Sequence, residues 1–123
     1  METREAGFAK YGSSFQEGLC HLILVDRPFA DQILEVLDIN FLELKHLRAF
    51  IKKIVEYREK YKVHPTKEIM KSVLRTELEN EPSTVKVRIR TYFARLLSTD
   101  ILPDSSDYIK SASLDFCKKQ KLK

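Results

Sequence analysis

Leu44, Leu47, Phe50, Ile51, Ile54, Val55 and Tyr57 fall on one stripe of a 3.6-residue repeat, and Lys45, Arg48, Lys52, Lys53 and Arg58 lie mostly off it. This pattern predicts an amphipathic helix from about Leu42 to Tyr61 with one face turned to a core. Further stripes of the same period recur along the chain, and no segment shows convincing strand alternation or an internal repeat. Only 3 glycines and 4 prolines occur in 123 residues, about half their usual combined share of roughly 12%. A sandwich or barrel needs more turn residues than that. The fold class is therefore read as all-α.

Local signals set the expected boundaries. Residues 1–13 lack periodicity and include Gly7 and Gly12, which predicts a flexible N-terminal arm. Ser14, followed three residues later by Glu17, has the form of a capping box. Behind it Phe15, Leu19, Leu22 and Ile23 carry a first helix to about Val25. Asp26-Arg27-Pro28 starts a short second helix, since proline is tolerated in a helix's first turn, and Phe29, Ile33, Val36 and Leu37 form its stripe. Val63-His64-Pro65 ends the long third helix. Thr66 is placed to cap a fourth that runs to about Asn80, with Ile69, Met70, Val73, Leu74 and Leu78 inward. Beyond the polar connector from Glu79 to Ser83, two more helices are predicted, from about Thr84 to Ser98 and from about Ser106 to Gln120.

The expected architecture is a four-helix globular head over 14–82, followed by a protruding antiparallel two-helix hairpin over 83–123 that ends in the start of an interdomain linker. Ile89, Tyr92, Phe93, Leu96, Leu97, Ile109, Ala112 and Phe116 make up the hairpin's apolar stripe. Each large member is worth about 1.5–3 kcal/mol when fully buried, and isolated helices are marginal in water. The stripe must therefore pack against the head or against a second copy of itself.

Several chemistries are excluded or unsupported at this stage. No run approaches the roughly 18 apolar residues of a membrane span, and no secretory leader is evident, so a cytoplasmic location is expected. Gly7, Gly12 and Gly18 cannot build GxxxxGK[ST] or GxGxxG, so nucleotide hydrolysis by this chain is not expected. Cys20 and Cys117 flank no CxxC and read as reduced core thiols, with a disulfide left open. His21, His46 and His64 lack zinc-ligand spacing, and no catalytic triad or carboxylate pair has a supporting motif. No cofactor, metal or catalytic residue is nominated.

Charge is unevenly spread, with acid in excess over 14–44 and base in excess over 45–62 and again over 83–123. Lys45, Arg48, Lys52 and Lys53 on the third helix are candidate nucleic-acid contacts, although a charge run of this kind is more often a solvated face. Asp26, Asp31, Glu35 and Asp38 read either as helix-end charge or as an acidic patch for a basic partner. Tyr57 and Tyr61 sit at helical spacing and read as core before they read as a base-stacking pair.

The stretch from Phe15 through Gln16, Glu17, Gly18 and Leu19 to Asp26, then Phe29 and Ile33, resembles the opening of the N-terminal domain of DnaB-type replicative helicases. That opening is an amphipathic helix, a D-x-x-F turn, a short helix and a second D-x-x-F segment, here Asp38-Ile39-Asn40-Phe41. His46-Leu47-Arg48-Ala49-Phe50-Ile51 is similar to the basic core of the family's next helix, and Lys62-Val63-His64-Pro65-Thr66 to the turn that follows. Tyr92-Phe93-Ala94-Arg95-Leu96 and Asp107-Tyr108-Ile109 are similar to its two hairpin helices. The likeness covers roughly 14–120 and is nearest to bacteriophage-encoded members.

The resemblance implies a non-catalytic domain of a hexameric DNA helicase, detached from the RecA-like ATPase that would carry the P-loop. It implies pairing through the hairpin at Tyr92, Phe93, Leu96, Ile109 and Phe116, giving a dimer for this chain alone and a collar on a hexamer in the parent helicase. Primase and a helicase loader are the implied partners in the primosome, and DNA a weak one. The competing reading is a stand-alone basic helical accessory protein of DNA replication that binds nucleic acid.

Overall fold

The computed structural model describes residues 7–99 and 103–121. Six α-helices account for most of them: α1 (Gly12–Val25), α2 (Arg27–Ile33), α3 (Lys45–Tyr61), α4 (Lys67–Thr76), α5 (Ser83–Ser98) and α6 (Pro103–Lys121). Short 3-10 turns at Ala9–Tyr11 and Ile39–Phe41 lead into α1 and toward α3. No strand occurs among the described residues, and the fold is all-α.

The helix starts show why these segments fold where they do. Asp26 caps α2, its Oδ1 accepting from the Phe29 amide at 3.1 Å, with Pro28 in the first turn. Thr66 caps α4 in the same way through the Ile69 amide at 3.1 Å. Each cap satisfies an amide that the helix itself leaves unpaired. At the other end of α3, Lys62 adopts the left-handed conformation (φ 63) and returns its amide to the Arg58 carbonyl. Glycine usually fills that role.

Ser14 is not a cap. α1 begins two residues earlier, after Tyr11, and its start carries no side-chain cap. The flexible arm expected over 1–13 also needs correction for residues 7–13, while 1–6 lie outside the described residues. Phe8 is fully buried, and its amide donates to the Phe41 carbonyl at 2.8 Å. Gln16, buried inside α1, fastens the same corner: its Oε1 accepts from the Glu43 amide at 2.7 Å while its Nε2 reaches the Phe8 and Gly12 carbonyls. An aperiodic segment is held here by the burial of Phe8, which periodicity cannot reveal.

α1 is the central helix. Leu19, Cys20 and Ile23 are completely buried, and α2, α3 and α6 all pack against it. A helix surrounded in this way is apolar on most of its circumference. α5 lies against α3 and α4, whereas α6 lies against α1 and α2. The two last helices therefore sit on different flanks of one bundle and share one continuous core with the head. The protruding hairpin is not what forms.

Gly18 helps to explain the outcome. A β-carbon added there would lie 2.7 Å from Cδ1 of Ile109, so α6 approaches α1 over a bare backbone. The Lys110–Asp26 ion pair, and Lys121 Nζ on the Glu35 carbonyl at 3.4 Å, fasten α6 along the same flank.

Candidate functional site

The residues expected to form an intermolecular hairpin face are the first to place. Ile89, Tyr92, Phe93, Leu96, Ile109 and Phe116 are buried inside the chain's own core, and Ala112 is half-buried against it. Phe50 receives Tyr92 edge-on (centroids 5.4 Å apart) and also touches Phe93. Phe116 joins an aromatic cluster with Phe8 and Phe41. Leu97 alone of the eight is exposed, at 44%. The expected pairing surface is consumed intramolecularly, because α1 and α3 each offered an unfilled flank to one of the two helices.

The basic residues of α3 do not act as one patch. Arg48 turns back to the Leu42 carbonyl at 2.8 Å and shapes the chain before the helix. Lys53 pairs with Glu56 at 3.3 Å. Lys45 and Lys52 remain exposed on the surface. Three of the four clustered acids are likewise engaged: Asp26 caps α2 and pairs with Lys110, Asp31 pairs with Arg58 at 2.8 Å, and Asp38 accepts from the Asn40 amide. These contacts hold both the Asp26 and Asp31 carboxyls below the usual carboxylate range, through the Lys110 and Arg58 hydrogen bonds respectively.

A polar relay that the sequence did not reveal joins three helices. His64 Nε2 lies 2.8 Å from the Leu24 carbonyl, which can only accept, so Nε2 carries the proton. Nδ1 then accepts from Arg58 at 2.7 Å, and Arg58 continues to Asp31. These side chains line an open hollow of about 380 Å³ together with Arg27, Leu34 and Val55. Arg27 and Arg58 both pair with Asp31, and among the described residues the lining holds no serine, threonine or cysteine. Its evident work is to hold the turn before α4 against α1 and α2.

Elsewhere, the Tyr57 and Tyr61 rings pack at a tilt with centroids 4.6 Å apart, and Tyr61 is 53% exposed, which corrects its expected place in the core. His46 packs edge-on to Tyr92, and desolvation lowers its affinity for a proton. Cys20 and Cys117 are free, buried thiols. Burial pushes Cys117 up to about 12 and Cys20 further in the same direction, so neither is a ready nucleophile. Among the described residues no group of three His, Cys, Asp or Glu side chains could hold a metal ion, and no helix is long and apolar enough to cross a membrane.

A cleft of about 260 Å³ between α4 and α5 gathers uncommitted positive charge. Leu74, Phe93 and Leu97 form its floor, and Lys71, Arg75 and Arg90 stand on its walls. No carboxylate lines it, and none of the three cations has an ion-pair partner among the described residues. Sequence reading counted α5's positive charge but could not see that α4 brings Lys71 and Arg75 opposite Arg90.

No family model, no curated protein and no solved structure matches this chain.

Proposed function

We propose that the chain is a non-catalytic helical interaction domain, of the kind that forms the N-terminal part of a DnaB-type hexameric replicative helicase encoded by a bacteriophage. Its role there is to organise the ring and to dock primase or a loader during DNA replication, in the cytoplasm. The observation that carries the reading is the part played by the helicase-like D-x-x-F segment. Asp26 closes the first turn of α2, and Phe29 enters the core three residues later. The other family-like stretches support it in the same manner. Asp38 closes the turn before Phe41, and Pro65 and Thr66 bury and cap the start of α4.

Pairing through the α5 and α6 stripes is no part of this proposal, since all of those side chains but Leu97 are buried or half-buried in the chain's own core. Ring contacts would instead use exposed positions. The coding sequence downstream of Lys123 tests the reading: a RecA-like ATPase containing GxxxxGK[ST] supports it, and a downstream region without one overturns it.

A second reading, a stand-alone nucleic-acid-binding accessory protein, is favoured by the exposed Lys45 and Lys52 on one face of α3. It requires binding of labelled single-stranded DNA that weakens linearly in log–log form with added salt. Absence of binding at low salt removes it.

A further inference from the structure

We infer that the cleft between α4 and α5 is a docking groove for an acidic amphipathic helix of a partner protein. The inference rests on the cleft alone and holds whether or not the chain belongs to a helicase.

Charge is the first argument. Lys71 and Arg75, one helical turn apart on α4, face Arg90 on α5 across the groove, and no acid interrupts them. Cations held close together with no partner repel one another, and an occupant carrying carboxylates on both flanks relieves that repulsion. Arg95, one turn beyond, makes a useful contrast: it pairs with Glu17 at 3.1 Å and is not available. Lys67 on α4 and Lys86 and Arg88 on α5 also lack an ion-pair partner among the described residues, but only Lys71, Arg75 and Arg90 converge on the apolar floor.

The floor is the second argument. Leu97 is 44% exposed, with Leu74 and Phe93 beneath it, and the small Ala94 lets an incoming backbone approach α5. An apolar floor between basic walls matches a helix with one apolar stripe and acids on either side of it. Nucleic acid fits less well. It brings phosphate for the walls but no aliphatic stripe for the floor, and Phe93, the aromatic in the cleft, is only 5% exposed and cannot stack on a base. A small metabolite fits poorly too, because the space lies below the usual range of about 300–1,000 Å³ for such sites.

Fluorescence anisotropy tests the proposal with a labelled helical peptide of about 18 residues, bearing leucines on one face and glutamates beside them. A scrambled peptide of identical composition and a single-stranded oligonucleotide serve as comparisons. Saturable binding of the amphipathic peptide is expected, weakened at least about tenfold by Arg90→Glu, by Lys71→Glu and by Leu97→Asp. All three positions are exposed, so the fold should survive, with circular dichroism as the check. Equal binding of the scrambled peptide, tighter binding of the oligonucleotide, or no binding at low salt would each overturn the proposal. Sedimentation supplies the last arm: self-association abolished by Arg90→Glu would give the groove to a second copy of this chain instead.

Discussion

The Tyr92 hydroxyl donates to the Glu17 main-chain carbonyl at 2.6 Å, joining α5 to α1 across 75 residues of sequence. The bond places Tyr92 as an internal strut. Its ring lies against Phe50 and His46, and the neighbouring Arg95 guanidinium sits 5.9 Å from the ring centre. Tyr92→Phe keeps the ring and removes the bond, so urea denaturation should show a loss of about 0.5–1.5 kcal/mol with unchanged sedimentation. A shift in oligomeric state instead would mean that Tyr92 serves an intermolecular contact after all.

Gly18 offers a test of where α6 lies. A large side chain at that position has no room beside Ile109. Gly18→Leu should force α6 away from α1 and cost on the order of 1–3 kcal/mol through overpacking. Hydrogen exchange should report faster amides in α6 while α3 and α5 stay protected. A variant of unchanged stability and protection would contradict the packing of α6 on α1.

Lys62 predicts a gain. Its left-handed backbone (φ 63) costs a non-glycine residue about 1–2 kcal/mol. Glycine escapes that cost but gives back about 0.5–1 kcal/mol of unfolded-state entropy. Lys62→Gly should therefore raise stability by about 0.5–1 kcal/mol, seen as a higher Tm and urea midpoint.

His46 makes stability depend on pH. Desolvation lowers its proton affinity in the folded chain, Arg88 and Arg95 add to that, and Glu17 opposes it. The unfolded imidazole, near its ordinary value of about 6.5, therefore takes up a proton first as pH falls. The folded state is favoured fully above that value, and its advantage declines below it toward the lower folded pKa. Urea midpoints measured from pH 7.5 down to about 5 should fall, and His46→Gln should flatten the decline. A midpoint independent of pH in both proteins would show that the burial of His46 has no such effect.

Much of the fold was legible because caps and periodicity are local. Asp26, Thr66 and the stripe from Leu44 to Tyr57 announce helices through bonds made within a few residues. What failed was long-range. The stripes of α5 and α6 were read correctly as apolar, yet nothing within either segment says whether α1, α3 or another molecule will cover them. The usable clue was Gly18, a residue that weakens the interior of a helix unless another backbone must come near. Phe8 escaped notice for a related reason: an aromatic in a short segment bounded by Gly7 and Gly12 has no period to show, although its ring anchors the corner. The α4–α5 cleft was invisible because its cations come from segments counted separately, one acidic on balance and the other basic.

The aromatic corner has a consequence for synthesis. The Phe8 and Phe116 rings meet at a tilt, centroids 5.0 Å apart, so nearly the earliest and nearly the latest described side chains touch. On the ribosome, α1 must wait with one greasy flank uncovered until α6 has left the exit tunnel. Premature stalling within α6 would leave that flank as bait for chaperones or for aggregation.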